Sequence, residues 1–391
     1  MRIYLDYAAS TPVCPEVFEA MRPFFFEKYG NASSVHSFGR EAEIALDHAR
    51  ETIARFFGVT FKEVYFTSGA TEANNWIAHT TYNQEFITKN IRPHVITSTI
   101  EHESMLESIK QLEKEKIIDV TYILPDKDGI INPQGVQKAL KKETLLVSIM
   151  YVNNEIGSIQ LIKEIGRIIK KFRQEKQTSY PIFHSDAVQA IQFLEPRLEY
   201  LNLDAMTVSS HKIYGPKGMG ALIVKDQILK PLLYGGGQEF QKRAGTENIP
   251  SIVGFGKAIE LISNNDYRIG EESRVRGLKK YFISGILKKI EDAIIVGDEE
   301  KNAPHIVSII FPKVESQIFL IALDQEGIAA SSGSACSIKA IKPSYVLTSL
   351  GYSANFALSA LRFSLGRSTT LEDVKKTLTI MGKTHKKFVN H

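Results

Sequence analysis

The chain has 391 residues, 43% of them hydrophobic and 24% charged, with 26 glycines and 14 prolines; this is the composition of a folded protein and excludes disorder and collagen-like repeats. Lys plus Arg at 48 against Asp plus Glu at 44 leave a charge of +4, too small an excess over this length to imply a nucleic-acid partner. The two cysteines, Cys14 and Cys336, are too few for a disulfide scaffold or a cysteine-rich metal site, so no metal is expected and a reducing compartment is.

In chain order, Met1-Arg2-Ile3-Tyr4-Leu5-Asp6 puts an acid where a signal peptide needs an apolar core. No later stretch supplies the roughly 18 apolar residues of a membrane span, so a cytoplasmic chain with no membrane segment is expected. Short apolar runs then alternate with longer amphipathic ones. Strands are predicted at Val64–Thr67, Val95–Ser98, Val120–Leu124, Leu145–Tyr151, Ile182–Ser185, Ala205–Val208 and Gly220–Val224. Helices are predicted at Glu41–Phe57, Thr71–Thr81, Ser104–Lys116, Pro133–Lys141 and Lys163–Gln174. This alternation, with strands rich in β-branched residues, predicts an α/β fold with a mostly parallel sheet flanked by helices. From about Asn264 a charged helix near Arg268–Lys289, a strand at Ile306–Phe311 and a helix near Glu315–Glu326 suggest a smaller α+β domain. The division expected is 15–262 for the large domain and 1–14 plus 263–391 for the small one. The lysines of Lys375–Lys387 lie on a helical pattern, either a solvated face or a patch for an acidic partner.

In a parallel sheet, ligands bind beyond the carboxyl ends of the strands, so the residues following each apolar run are the candidates. Ser68-Gly69-Ala70-Thr71-Glu72-Ala73-Asn74 is a small-residue turn feeding a helix, suited to phosphate, although such turns are more commonly packing devices. Asp186 ends a buried run, either as a helix cap or as a partner for a cationic ring nitrogen. Lys212 stands in a tight Ser/Gly/Pro segment between two strands; it is either a loop lysine paired with an acid or an amine able to form a Schiff base. Cys336 follows Ser331-Ser332-Gly333-Ser334-Ala335, a small-residue setting that suits an accessible thiol better than a packed one. Cys14, between Val13 and Pro15, has no such setting.

Together these segments resemble the cysteine desulfurases of the NifS/IscS type, within the class V aminotransferase family of pyridoxal-phosphate enzymes. The resemblance spans nearly the whole chain. It rests on Leu5-Asp6-Tyr7-Ala8-Ala9, Gly30-Asn31-Ala32-Ser33-Ser34-Val35-His36, Thr67-Ser68-Gly69-Ala70-Thr71-Glu72, Glu101-His102, Val152-Asn153-Asn154-Glu155-Ile156-Gly157, His184-Ser185-Asp186-Ala187-Val188-Gln189, Ser210-His211-Lys212, Arg243-Ala244-Gly245-Thr246-Glu247-Asn248, Ser332-Gly333-Ser334-Ala335-Cys336 and Arg362-Phe363-Ser364-Leu365-Gly366-Arg367.

The resemblance implies the aspartate aminotransferase-like fold, fold type I, and pyridoxal 5'-phosphate as cofactor. It implies that Lys212 holds the cofactor covalently and moves the substrate's α-proton, that Asp186 pairs with the ring nitrogen, that Asn154 and Gln189 bond the ring hydroxyl, and that His102 stacks on the ring and assists catalysis. Phosphate would be held by Ala70, Thr71, Ser209 and His211, and by Thr246 of a second subunit. Arg362 would clamp the substrate carboxylate, with Asn31 and His36 in the same pocket, and Cys336 would take sulfur from L-cysteine as a persulfide while L-alanine leaves. The implied partners are a second copy of the chain, forming a homodimer, and a sulfur-acceptor protein such as an iron-sulfur scaffold, with tRNA or cofactor thiolation as other destinations. Another transaminase, a selenocysteine lyase and a non-catalytic sulfur relay are the rival readings. Ser210 stands where many relatives have glycine, and Ile338-Lys339-Ala340-Ile341 departs from the usual Ser/Ala-rich continuation.

Overall fold

A computed structural model describes residues 2–82, 86, 88, 91–225, 228–333 and 342–389. Among these, strands β1 (Ile3–Tyr4), β2 (Val64–Thr67), β3 (His94–Ser98), β4 (Asp119–Ile123), β5 (Thr144–Ser148), β6 (Ile182–Asp186), β7 (Ala205–Ser209) and β8 (Gly220–Val224) are followed by β9 (Ile294–Ile295), β10 (Ile306–Ile310), β11 (Ile328–Ala329), β12 (Ser331–Ser332) and β13 (Ala360–Ser364). The main sheet runs in the order β2-β8-β7-β6-β5-β3-β4. All its neighbours are parallel except where β8 pairs antiparallel with β2 and with β7. β2, β3, β5, β6 and β7 therefore present their carboxyl ends along one edge. The strands read from sequence are all present, and they were legible because β2, β3, β5, β6, β7 and β8 are buried at every position, which forces continuous apolar runs.

Two departures have local causes. The fifth strand ends at Ser148 and not at Tyr151, because the chain leaves the sheet for a turn in which the Asn153 side-chain oxygen accepts from the backbone N–H groups of Glu155 and Ile156 at 2.9 and 3.0 Å. The helix Ile249–Ile262 is obscured in sequence by Pro250, Gly254 and Gly256. Pro250 sits in the first turn, where its missing N–H costs nothing. The glycines permit close helix packing: a Cβ at Gly254 would meet the Met21 sulfur at 2.5 Å, and one at Gly256 would meet the Ala49 Cβ at 2.8 Å.

A second sheet, β12-β13-β10-β9, is antiparallel. Its apolar face packs with the helices Asn265–Lys289 and Leu371–Val389 into a separate core that includes Phe282, Phe311, Phe319, Phe363 and Met381. On the helix Leu371–Val389, Val374, Leu378 and Met381 are buried while Lys375, Lys376, Lys383, Lys386 and Lys387 are exposed. β1 pairs in parallel with β11, Ile3 opposite Ile328. None of the helices in the described residues is long and apolar enough to cross a membrane.

An ion pair anchors the segment that precedes Thr246. Arg50 and Glu239 have side chains only 3% and 2% exposed and meet at 2.6 Å; the guanidinium also lies 4.7 Å from the Phe66 ring centre and 5.0 Å from that of Phe240. Glu239 also accepts from the Phe66 N–H at 2.8 Å. Glu239, Phe240 and Gln241 all have positive φ, 46°, 55° and 63°, a conformation that costs non-glycine residues energy and persists only when held. Glu239→Ala leaves Arg50 buried and uncompensated, and a loss of about 3–5 kcal/mol is expected. A urea midpoint within error of the parent would show that the pair contributes nothing.

Candidate active site

The carboxyl edge of the main sheet opens into a cavity of about 590 Å³ lined by residues that follow β2, β3, β5, β6 and β7, together with Ala8, Ala9, Ser10, Gly333, Tyr345 and Arg362. β7 ends at Ser209, and the chain tightens into a 3-10 turn, Ser210–Lys212, which places the Lys212 side chain in the cavity. Its Nζ donates to the Ala8 and Ala9 carbonyls at 2.5 and 2.7 Å. The Ala8 carbonyl also accepts from Gln189 Nε2 at 2.8 Å, so a segment near the start of the chain is built into the site. His211, next to the lysine, has Nδ1 3.3 Å from Ser10 Oγ. Burial, followed by the charges of Lys212 and Lys217, pushes its imidazole down to about 4, so the ring is neutral near pH 7.

Asp186 ends β6 and is 5% exposed. One carboxylate oxygen accepts from Asn74 Nδ2 at 2.7 Å, and the other from the Val188 N–H at 3.1 Å. Asn74 Nδ2 also donates to Ser104 Oγ at 2.9 Å, and Ser104 Oγ lies 2.8 Å from His102 Nδ1. A continuous path therefore links Asp186 to His102. His102 caps the helix Glu103–Lys114, its Nδ1 accepting from the Ser104 backbone N–H at 3.2 Å. Because Nδ1 is an acceptor there, the proton of a neutral ring resides on Nε2.

On the side below β2, Gly69 precedes the helix Ala70–His79 with φ 154°, no side chain caps that end, and the space a Cβ would occupy is empty. The conformation favours glycine, and the uncapped N–H groups suit a phosphate. Ala70, Thr71, Ser209 and His211 line the same cavity. Thr246 does not: it lies with Arg243 and Glu247 in a neighbouring cavity of about 200 Å³ that shares Ser68 and Gly218 with the first. Arg243 ties that loop to the helix by an ion pair with Glu72 at 2.8 Å.

Arg362 lies on β13, where Leu361 and Phe363 point into the smaller core and Arg362, by the alternation of a strand, points away from it. Its Nη1 donates to the Asn154 carbonyl at 2.8 Å and its Nη2 to Asp6 Oδ1 at 3.0 Å, while Nε is buried without a partner. Burial pushes the Asp6 carboxyl up and Arg362 pulls it back down. Asn154 Oδ1 is also buried without a partner, on the cavity wall.

Asn31 and His36, expected in the substrate pocket, are exposed and do not line this cavity. Asn31 Oδ1 accepts from the Ser33 N–H at 2.9 Å, and His36 Nδ1 caps the helix Ser37–Phe57 by accepting from Gly39 at 3.2 Å. Both side chains are used for local chain geometry. Cys336 lies outside the described residues; Gly333, before it in sequence, lines the cavity. Sequence reasoning missed Asn74, whose signal is an amide on the buried face of a helix, and the acids Glu101 and Glu155. Glu101, fully buried, accepts from Ser98 Oγ and the Met150 N–H, and burial pushes it up to about 8. Among the described residues no group of three acidic, histidine or cysteine side chains could hold a metal ion.

A strand-end carboxylate, a lysine amine and a buried arginine thus line one cavity at the carboxyl edge of an α/β sheet. Residues 3–377 match the family described as Aminotransferase class-V, and the chain belongs to that family. It is 43% identical over 97% of its length to "Cysteine desulfurase IscS" of Dictyoglomus turgidum, covering 93% of that protein, and 40% identical over 96% to "Putative cysteine desulfurase IscS 1" of Bacillus subtilis, covering 96% of it. A solved "NIFS-LIKE PROTEIN" superposes with TM-score 0.89 at 34% identity, over 98% of this chain and 99% of that one. "SspA in complex with cysteine" does so with TM-score 0.78 at 34% identity, over 93% and 99%.

Pyridoxal phosphate is the cofactor of this family, and the residues present fit it. The cavity has the volume of a cofactor site, the helix end at Gly69 is open for a phosphate, Asp186 can pair with a protonated ring nitrogen, and Asn154, whose Oδ1 lacks a partner, is on the cavity wall.

Proposed function

We propose that this chain is a cysteine desulfurase that converts L-cysteine to L-alanine and passes the sulfur through Cys336 as a persulfide. The observation that carries the reading is the convergence of Lys212, Asp186, His102 and Arg362 on one cavity whose wall includes Gly333, on the approach to Cys336. Pyridoxal phosphate, when bound, supplies an electron sink that lets the α-proton and then the carbon–sulfur bond of the substrate be given up.

Lys212 would anchor the cofactor, and its amine, once freed, would move the α-proton. Asp186, steadied by Asn74 and the Val188 N–H, would hold the ring nitrogen in its charged form. Ala70, Thr71, Ser209 and His211 would grip the phosphate, with Thr246 arriving from a second copy in a homodimer. Asn154 and Gln189 would position the ring hydroxyl, and Arg362 would take the substrate carboxylate in two-pronged fashion. His102, with its proton on Nε2, would donate to the substrate. Cys336 as thiolate would attack the substrate sulfur: a sulfur–sulfur bond forms, the carbon–sulfur bond breaks, its electron pair stays with the carbon, and that carbon takes a proton. Sulfur is oxidised as carbon is reduced, so no outside oxidant is needed. The persulfide would then go to an acceptor protein, such as an iron-sulfur scaffold, in a reducing cytoplasm.

Incubating the holoenzyme with L-cysteine and dithiothreitol should yield alanine and sulfide in equal amounts. Cys336→Ser should still bind cysteine but release sulfide at a rate lower by at least roughly a hundredfold, because a hydroxyl near neutral pH is a far weaker nucleophile than a thiolate. Keto acid in place of alanine, or parental sulfide release from the variant, would overturn the reading.

A further inference from the structure

Glu155 lines the cavity, and nothing in the reaction so far uses it. It is 3% exposed, on the turn held by Asn153. Its Oε2 accepts from Ser344 Oγ at 2.5 Å, and a Cβ on Gly333 would fall 2.4 Å from that same oxygen, so the carboxyl packs directly against the chain at Gly333. The preceding carbonyl, that of Asn154, accepts from Arg362 Nη1 at 2.8 Å. The acid and the guanidinium are thus adjoining parts of one wall, and Asp6 already supplies Arg362 with one carboxylate at 3.0 Å.

We propose that Glu155 is a specificity-determining residue for the substrate's carboxylate: it stands beside Arg362 in the cavity wall, and an ionised Glu155 and a bound carboxylate exclude one another. Arg362 carries one positive charge. With Asp6 ionised that charge is already matched, and a second protein carboxylate would leave an incoming anion facing net negative charge in a poorly hydrated site. Kept neutral, Glu155 instead offers a hydroxyl to the anion.

The groups around it fix the sign. Burial raises its proton affinity most, Ser344 and Arg362 lower it, and Glu103 on the adjoining helix raises it; the result is about 7, up from an ordinary carboxyl. Lys212, His102 and Asp186 line the same cavity. Below that value Glu155 is mostly neutral and carboxylates bind best; above it, binding weakens progressively because it must draw in a proton.

The inference rests on the proposed amino-acid substrate, but not on the fate of its sulfur, so L-alanine is the probe. Calorimetric titration of the holoenzyme with L-alanine, from about pH 6 to about pH 8, should show the dissociation constant rising about tenfold, as expected for a group titrating near the middle of that span. Near the upper limit, buffers of different ionisation heat should reveal proton uptake that the variant lacks. Glu155→Gln should flatten this component of the pH dependence. Ser344→Ala, which removes a hydrogen bond to the ionised form, should move it to higher pH. Protonation changes on alanine and the cofactor are common to all three proteins, so the differences report on Glu155. A Glu155→Gln profile superposable on the parent would overturn the proposal while leaving the desulfurase reading intact; failure of alanine to bind the parent at any pH would overturn the carboxylate site itself.

Discussion

Lys212→Ala is expected to lose turnover by roughly 10⁴-fold or more, since on the proposed mechanism it removes both the covalent anchor of the cofactor and the base that moves the α-proton. The amine sits at the end of a turn fixed by the Ile213 and Gly215 N–H groups bonding back to the Ser210 carbonyl at 3.0 and 3.1 Å, and its own contacts are to the Ala8 and Ala9 carbonyls. Truncation should leave that turn in place. The variant should still bind pyridoxal phosphate through the helix end at Gly69 and through Asp186, but borohydride treatment followed by digestion should find no cofactor on the peptide spanning residue 212. A borohydride-fixed label elsewhere in an active variant would move the anchor to another lysine.

Arg362→Ala should lower kcat/KM for L-cysteine by about 10²–10⁴-fold, the equivalent of losing two charge-assisted hydrogen bonds. The control is cysteamine, which keeps the amine and thiol and lacks the carboxylate. Any turnover of cysteamine should change little, because cysteamine has no carboxylate for Arg362 to bind. Truncation also leaves Asp6 without its ion-pair partner, and burial then drives its carboxyl further upward, opposed only by Lys212, so Asp6 becomes neutral more readily. Arg362→Lys keeps the charge without the planar fork and should fall between the two. Equal losses with cysteine and cysteamine would show that Arg362 supports the fold and does not read the carboxylate.

What could be read from sequence, and what could not, divides by the kind of atom involved. Asp186 and Ser209 end strands buried at every position and the turn at Lys212 follows one, so each stands where an apolar run stops and is visible as such. The Ala8 and Ala9 carbonyls cannot be seen that way, because a backbone acceptor has no side-chain signature. Glu155 has no signature of its own in the sequence, since its meaning depends on Ser344 and Gly333, far along the chain. Asn31 and His36 show the converse: their motif is visible, but in this fold the two side chains serve a turn and a helix cap outside the cavity. The helix Ile249–Ile262 was hidden because the glycines that make it pack closely are the residues that weaken a helical pattern.

The placement of the segment around Asp6–Ala9 has a kinetic consequence. Ile3 pairs with Ile328, the Asp6 carboxylate meets Arg362, and the Ser364 N–H bonds to the Leu5 carbonyl at 2.7 Å. The first strand therefore waits for nearly the whole polypeptide to be synthesised before it acquires its neighbours. Contacts of such long sequence separation close late in folding. The Lys212 amine and the Arg362 guanidinium both take their partners from this segment, so a half-made chain holds the parts of the candidate site without their alignment.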